Sequence, residues 1–105
     1  MTKHRKPETL LQVGIVDALR TAGYLVLRLQ SGKAKVQGGW MQLCPEGTPD
    51  LLVVGRCFLE VKTKDGALTE EQEKMHRKIR QQGVPVHTVR TAREALEAVQ
   101  GVANG

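Results

Sequence analysis

Cysteine is scarce, with only Cys44 and Cys57 in 105 residues. Two thiols with no CxxC and no nearby histidine pair make neither a disulfide framework nor a zinc site. Aromatic residues amount to 3%, one each of Tyr, Trp and Phe. A protein that tracks single strands by stacking successive bases needs more, so any nucleic-acid contact is expected to run through the phosphate backbone. No apolar run approaches the roughly 18 residues of a membrane-spanning helix, and no apolar leader segment follows Met1. These absences predict a reduced, cytoplasmic protein with no membrane partner.

What is present is an ordinary globular composition, 40% hydrophobic and 26% charged, in a single-domain mass of 11.6 kDa. Sixteen Lys and Arg against 11 Asp and Glu give +5 and a pI near 9.6, which favours a polyanionic partner, nucleic acid above all.

Residues 1–6 read as a disordered basic arm and 101–105 as a flexible tail, leaving one domain over 7–100. Pro7 opens a helix whose apolar stripe is Leu11, Ile15, Ala18, Leu19 and Ala22, and Gly23 ends it. YLVLRLQ (24–30) reads as a strand. Residues 31–49, with four Gly and two Pro, read as one long loop carrying Lys33, Lys35 and Trp40. DLLVV (50–54) and CFLEVK (57–62) form a hairpin about Gly55–Arg56. Thr69 and Gln72 make a capping box for a helix ending at Gly83, VPVHTVR (84–90) is a strand, and Thr91 and Glu94 open a last helix. The expected class is α/β, in the order αβββαβ(α), with a four-stranded mixed sheet flanked by helices.

The chemistry concentrates in the hairpin. Glu60 and Lys62 interrupt an apolar run and, two apart on a strand, share a face. Asp50 opens the preceding strand. A two-residue connection would set Asp50 opposite Val61, on the wrong face. An odd connection or a bulge sets it opposite Glu60 or Lys62. Two converging carboxylates repel unless a cation lies between them, and oxygen ligands select hard cations, Mg²⁺ or Mn²⁺. A neighbouring ammonium can orient or deprotonate an attacking water, which together describes metal-assisted phosphodiester hydrolysis. The alternative is that Asp50 is a turn acid and Glu60 and Lys62 a surface pair on an edge strand. Glu8 falls on the core stripe of the first helix, as a site acid or as a first-turn glutamate favoured by the helix dipole. Gln72 caps its helix or serves the site. His76 and His87 read as packed or surface histidines, Cys57 as buried.

GTPDLLVV (47–54) followed by FLEVKTKDGALTEEQ (58–72) resembles the virus-type replication-repair nuclease domain, VRR-NUC, of the PD-(D/E)xK superfamily. Glu8, the loop around Ser31–Gly32, Gly47, Pro49, Asp50, Glu60, Lys62 and Gln72 fill that family's positions in order, and the resemblance covers the chain from Glu8 to about Val99. It implies a restriction-endonuclease-like core. It also implies Asp50 and Glu60 as metal ligands, helped by the Val61 carbonyl, and Glu8 as an outer-shell or second-metal acid. Lys62 would position the water, oriented in turn by Gln72. The implied partner is branched DNA such as a Holliday junction, in a bacterial or phage-infected cytoplasm, with no small-molecule cofactor. Ser31 and, around the mouth of the site, Lys33, Lys35 and Lys64 are the candidate DNA contacts, the alternative for the three lysines being solvated surface charge. The competing readings are a non-catalytic basic DNA-binding module and a nicking, flap-cutting or RNA nuclease on the same fold. A two-site junction substrate also predicts a homodimer, with Leu10, Val13 and Val16, off the main helical stripe, as its interface.

Overall fold

The structure is a computed structural model that describes residues 7–102, so the expected arm (1–6) and the last residues of the expected tail (103–105) lie outside the described residues. The elements are α1 (Pro7–Thr21), β1 (Val26–Arg28), β2 (Lys33–Val36), β3 (Gly39–Gln42), β4 (Leu51–Val53), β5 (Cys57–Val61), α2 (Glu70–Gln81), β6 (Val86–Val89) and α3 (Ala92–Val102). α3 therefore carries on through the first two positions of the expected tail. Four strands form a mixed sheet in the order β1-β4-β5-β6, antiparallel except for the β5–β6 pair. α2 makes the crossover between the two parallel strands.

Strand alternation divides the sheet into two unlike faces. Leu51 and Val53 of β4, Cys57, Leu59 and Val61 of β5, Val26 and Val89 join Ile15, Val16 and Leu19 of α1 and Ala95 and Val99 of α3 in one apolar core. Full burial of a Leu or Ile contributes roughly 1.5–3 kcal/mol each. The other face carries Asp50, Phe58, Glu60 and Lys62, and α2 covers part of it. α2 is mostly polar, with Met75 and Ile79 half-buried, and its one fully buried side chain is His76.

Two expectations change. Val16 is only 3% exposed and belongs to the core. α3 lies across α1 as well as against the sheet, so α1 buries a wider stripe than one sheet contact requires. Ala22, assigned to that stripe, is exposed, and only Leu10 of the three proposed interface residues is an exposed large apolar side chain. The long loop is in fact a hairpin: β2 and β3 pair antiparallel as a separate two-stranded sheet joined through Gln37–Gly38. The alternating Lys33-Ala34-Lys35-Val36 followed by a glycine pair was the available signal.

No helix of the described residues is long and apolar enough to cross a membrane.

Candidate active site

The connection between β4 and β5 decides the site. Val53 faces Cys57, so Val54, Gly55 and Arg56 make a three-residue link. The Arg56 N–H donates to the Val53 carbonyl at 2.9 Å, with Gly55 third in the turn at φ +76°. That is the left-handed position a type II turn reserves for glycine. The odd link continues the register so that Asp50 stands against Glu60, with Lys62 one step further on the same face. The Val61 N–H donates to Asp50 Oδ2 at 2.7 Å, which anchors that carboxylate, and Asp50 is near enough to Glu60 to push its carboxyl pKa up. Glu60 is fully buried and Lys62 is 9% exposed. β5 lies inside the sheet, so the reading of these two as a surface pair on an edge strand is excluded.

The approach to Asp50 is a second glycine turn. Thr48 donates from its N–H (3.2 Å) and its hydroxyl (2.6 Å) to the Pro45 carbonyl, and Gly47 has φ +86°. Pro49 is fully buried. Gly47 also lies against the first turn of α2, where a Cβ would collide with the Glu71 carbonyl. Glycine is needed here for two independent reasons. Gly47→Ala is expected to lower stability by roughly 2–4 kcal/mol, read as a drop in the urea midpoint. A shift below about 0.5 kcal/mol would show that the 45–49 turn yields freely.

His76 hangs from α2 directly over Glu60, with Nε2 and Oε1 3.0 Å apart. Both side chains are buried, and Glu60 Oε2 and His76 Nδ1 have no partner among the described residues. Burial, then the hydrogen bond and charge of Asp50, push the Glu60 carboxyl above the ordinary range; Lys62 opposes this and Glu8 adds to it. Burial foremost, and then the positive charge of Arg80, push His76 down. The sequence reads His76 as a packed or partly exposed helix histidine. It is packed, and its packing partner is the buried carboxylate. The one signal was a histidine on the inward stripe of a helix otherwise poor in apolar residues.

Gln72 sits one turn before His76. Its Oε1 accepts the Thr69 N–H at 2.9 Å while Thr69 Oγ1 accepts the Gln72 N–H at 3.2 Å. The capping box is complete, and the carbonyl end of Gln72 is committed to it. Glu8, half-buried in the first turn of α1, is close enough for its charge to reach Glu60. With Pro7, Thr63, Lys64 and Asp65 it lines a concavity of about 520 Å³, which Thr63 joins to Lys62 along the chain and which neither Asp50 nor Glu60 lines. Lys64 is thus beside the site. Lys33 and Lys35 stand on the separate hairpin, and Ser31 at its root bridges to Cys44. Arg90, absent from the sequence-based site, donates from Nη1 to the carbonyls of Thr63 (2.5 Å) and Gly66 (2.7 Å) and fixes the turn that follows Lys62. His87 faces the core beside Leu59, and its Nε2 is buried without a partner among the described residues. Burial also pushes the Cys57 thiol up, to about 11.

Among the described residues, no group of three or more His, Cys, Asp and Glu is placed to hold a metal ion. The donors that do converge are the Asp50 and Glu60 carboxylates, one with a buried oxygen that lacks any partner. An all-oxygen pair of this kind fits a hard cation that keeps several waters, as magnesium does, and does not fit zinc.

No family model, curated protein or solved structure matches the chain.

Proposed function

We propose that the protein is a metal-dependent endonuclease of the PD-(D/E)xK type, cutting branched DNA. The observation that carries this reading is the three-residue β4–β5 link, which sets Asp50 against a buried Glu60 with Lys62 on the same face. Nothing in the fold requires two acids and a lysine there, since the core lies on the opposite face. The +5 charge suits a phosphate substrate, and the motif resemblance over residues 47–72 is in accord with it.

Asp50 and Glu60 would hold Mg²⁺ or Mn²⁺, with the Val61 carbonyl as a third oxygen. The cation supplies charge neutralisation at the phosphate and a nucleophile at neutral pH. The Val61 N–H keeps Asp50 aimed, and His76 keeps Glu60 aimed. Lys62 orients the attacking water and stabilises charge growing on the phosphoryl oxygens. Glu8 and Lys64 border the concavity next to this group, on the route a backbone phosphate would take.

The test is the purified protein with Mg²⁺, Mn²⁺ or chelator against labelled four-way junction, flap, single-stranded and linear duplex DNA and an RNA duplex. Cleavage of the branched substrates that needs the cation and disappears in Asp50→Asn is the expected result. DNA binding with no cleavage under any cation would leave a non-catalytic binding module.

The proposal includes a two-fold dimer, which matches the symmetry of a junction. α1 does not offer the surface. The bare part of the sheet does: beyond α2, Leu27 (44% exposed) of β1 and Leu52 of β4 lie side by side, and the pairing continues past the strand ends through Leu25 (62%) and Val54 (44%). Sedimentation at micromolar concentration is expected to give twice 11.6 kDa, and Leu27→Glu is expected to give a folded monomer. A wild-type mass of 11.6 kDa would remove the dimer and favour a nicking or flap-cutting enzyme.

A further inference from the structure

We propose that Trp40 is a stacking platform for one unpaired base of a DNA substrate, with Lys33 and Lys35 holding the adjoining phosphates; this rests on the nucleic-acid reading above. Trp40 is the single tryptophan of the chain and is 68% exposed. An exposed apolar residue alone signifies little. Its surroundings are what matter.

In the β2–β3 register Lys35 pairs with Trp40 and Lys33 with Gln42. Directly opposed residues share a face, so the indole stands among two lysines and a glutamine. The apolar side chains Ala34, Val36 and Met41 point the other way. A surface built to dock another protein would collect those apolar groups around the tryptophan. Here the ring shares its face with Lys33, Lys35 and Gln42 instead, a combination that can receive a base on a π-face and its phosphates on ammonium groups.

The hairpin is also placed for this. Its root is tied by hydrogen bonds from Gly32 N–H to the Cys44 carbonyl (2.9 Å), Leu43 N–H to the Gly32 carbonyl (2.8 Å) and Cys44 N–H to the Gln30 carbonyl (3.0 Å). Leu29, just before that root, donates to the Asp50 carbonyl at 2.8 Å. The returning chain enters the Pro45–Gly47 turn that leads back to Asp50. The arm therefore leaves the sheet at the end that holds the carboxylates, and Trp40 stands on it roughly 10 Å beyond the Gly32 root, at about 3.4 Å per residue. A single platform receives a single base. It suits the local break at a fork or junction, where a base has lost its partner, and not a long single strand. The low aromatic content and a base contact are therefore compatible.

One tryptophan makes its fluorescence a reporter of this position alone. Metal-free protein in chelator is titrated with a blunt duplex, the same duplex bearing a single-stranded flap, and the flap strand alone. Quenching by the flap and strand but not by the blunt duplex is expected. Trp40→Ala should lose about tenfold or more in flap affinity with blunt-duplex affinity unchanged, and Trp40→Phe should retain most of it. Replacing Lys33 and Lys35 with Gln should weaken both substrates and flatten the salt dependence. Flap binding with unchanged emission, or equal losses on flap and blunt duplex in Trp40→Ala, overturns the proposal. So does an emission change driven by protein concentration alone, which would mean that a second copy covers the ring. Cleavage is scored separately with Mg²⁺. Flap-specific quenching without cleavage removes the nuclease and leaves the platform, and cleavage without quenching does the reverse.

Discussion

Glu60→Gln is expected to end cleavage, by roughly a thousandfold or more, while making the metal-free protein more stable at alkaline pH. The two effects have one cause. Glu60 is buried beside Asp50, and its carboxyl is held from the ordinary 4.5 up to about 9. Between those values the unfolded chain has released a proton that the folded protein retains. Stability from this group is therefore complete below 4.5 and declines as pH rises toward 9. His76 acts with the opposite slope: its pKa is lowered from 6.5, so it costs stability as pH falls below that value. Above 6.5 the Glu60 effect dominates, and near pH 9 the buried Cys57 thiol, raised from 9.0 to about 11, adds a smaller decline that both proteins share. In chelator, the melting temperature of the wild type should fall from pH 6.5 to 9 and that of Glu60→Gln should stay nearly level, a gain on the order of 1–3 kcal/mol at the alkaline end. Parallel curves for the two proteins would show that Glu60 shares its charge with solvent and is not the strained member of the pair.

Lys62→Met separates chemistry from binding. Methionine keeps most of the buried stem and its packing while removing the ammonium. Loss of a group that orients the nucleophile costs on the order of a hundredfold to ten-thousandfold in rate. Affinity for the same DNA, measured in chelator, should change by less than about twofold, because one cation among 16 Lys and Arg is removed. An equal fall in affinity and rate would make Lys62 a phosphate clamp.

The features that were legible in the sequence are those whose partners lie close along the chain. The capping box of α2 needs only Thr69 and Gln72, three apart, and it formed as read. Glu94 makes a related contact one residue off, its carboxylate accepting from the Arg90 N–H at 2.7 Å while Thr91 Oγ1 accepts from the Glu94 N–H. The apolar strands β4 and β5 were equally plain. The β4–β5 link was left open by one residue, because the turn about Gly55 could begin at either of two positions and the face of Asp50 depends on which. β2 and β3 escaped notice because most of their residues are exposed, so no core imposed the apolar alternation by which strands are read. The core position of Val16 and the partner of His76, which is packed as read, are illegible for a third reason. Each is explained by an element distant in sequence, α3 for Val16 and β5 for His76, and periodicity within one helix carries no information about what will lie across it.

Strand β5 has a consequence for how variants of this protein will sort. Its odd-numbered residues Cys57, Leu59 and Val61 support the core, and its even-numbered Glu60 and Lys62 face the candidate chemistry. A systematic scan along these positions should therefore alternate in phenotype, poor yield and solubility at one residue, then good yield with no activity at the next. The same alternation proofreads the fold. A one-residue slip of β5 would move Glu60 and Lys62, already buried but beside polar neighbours such as His76 and Asp50, in among Ile15, Leu19 and Val99, and the cost of burying them without polar partners disfavours the misaligned pairing. The groups proposed to cut DNA thus also help to enforce the register that brings them together.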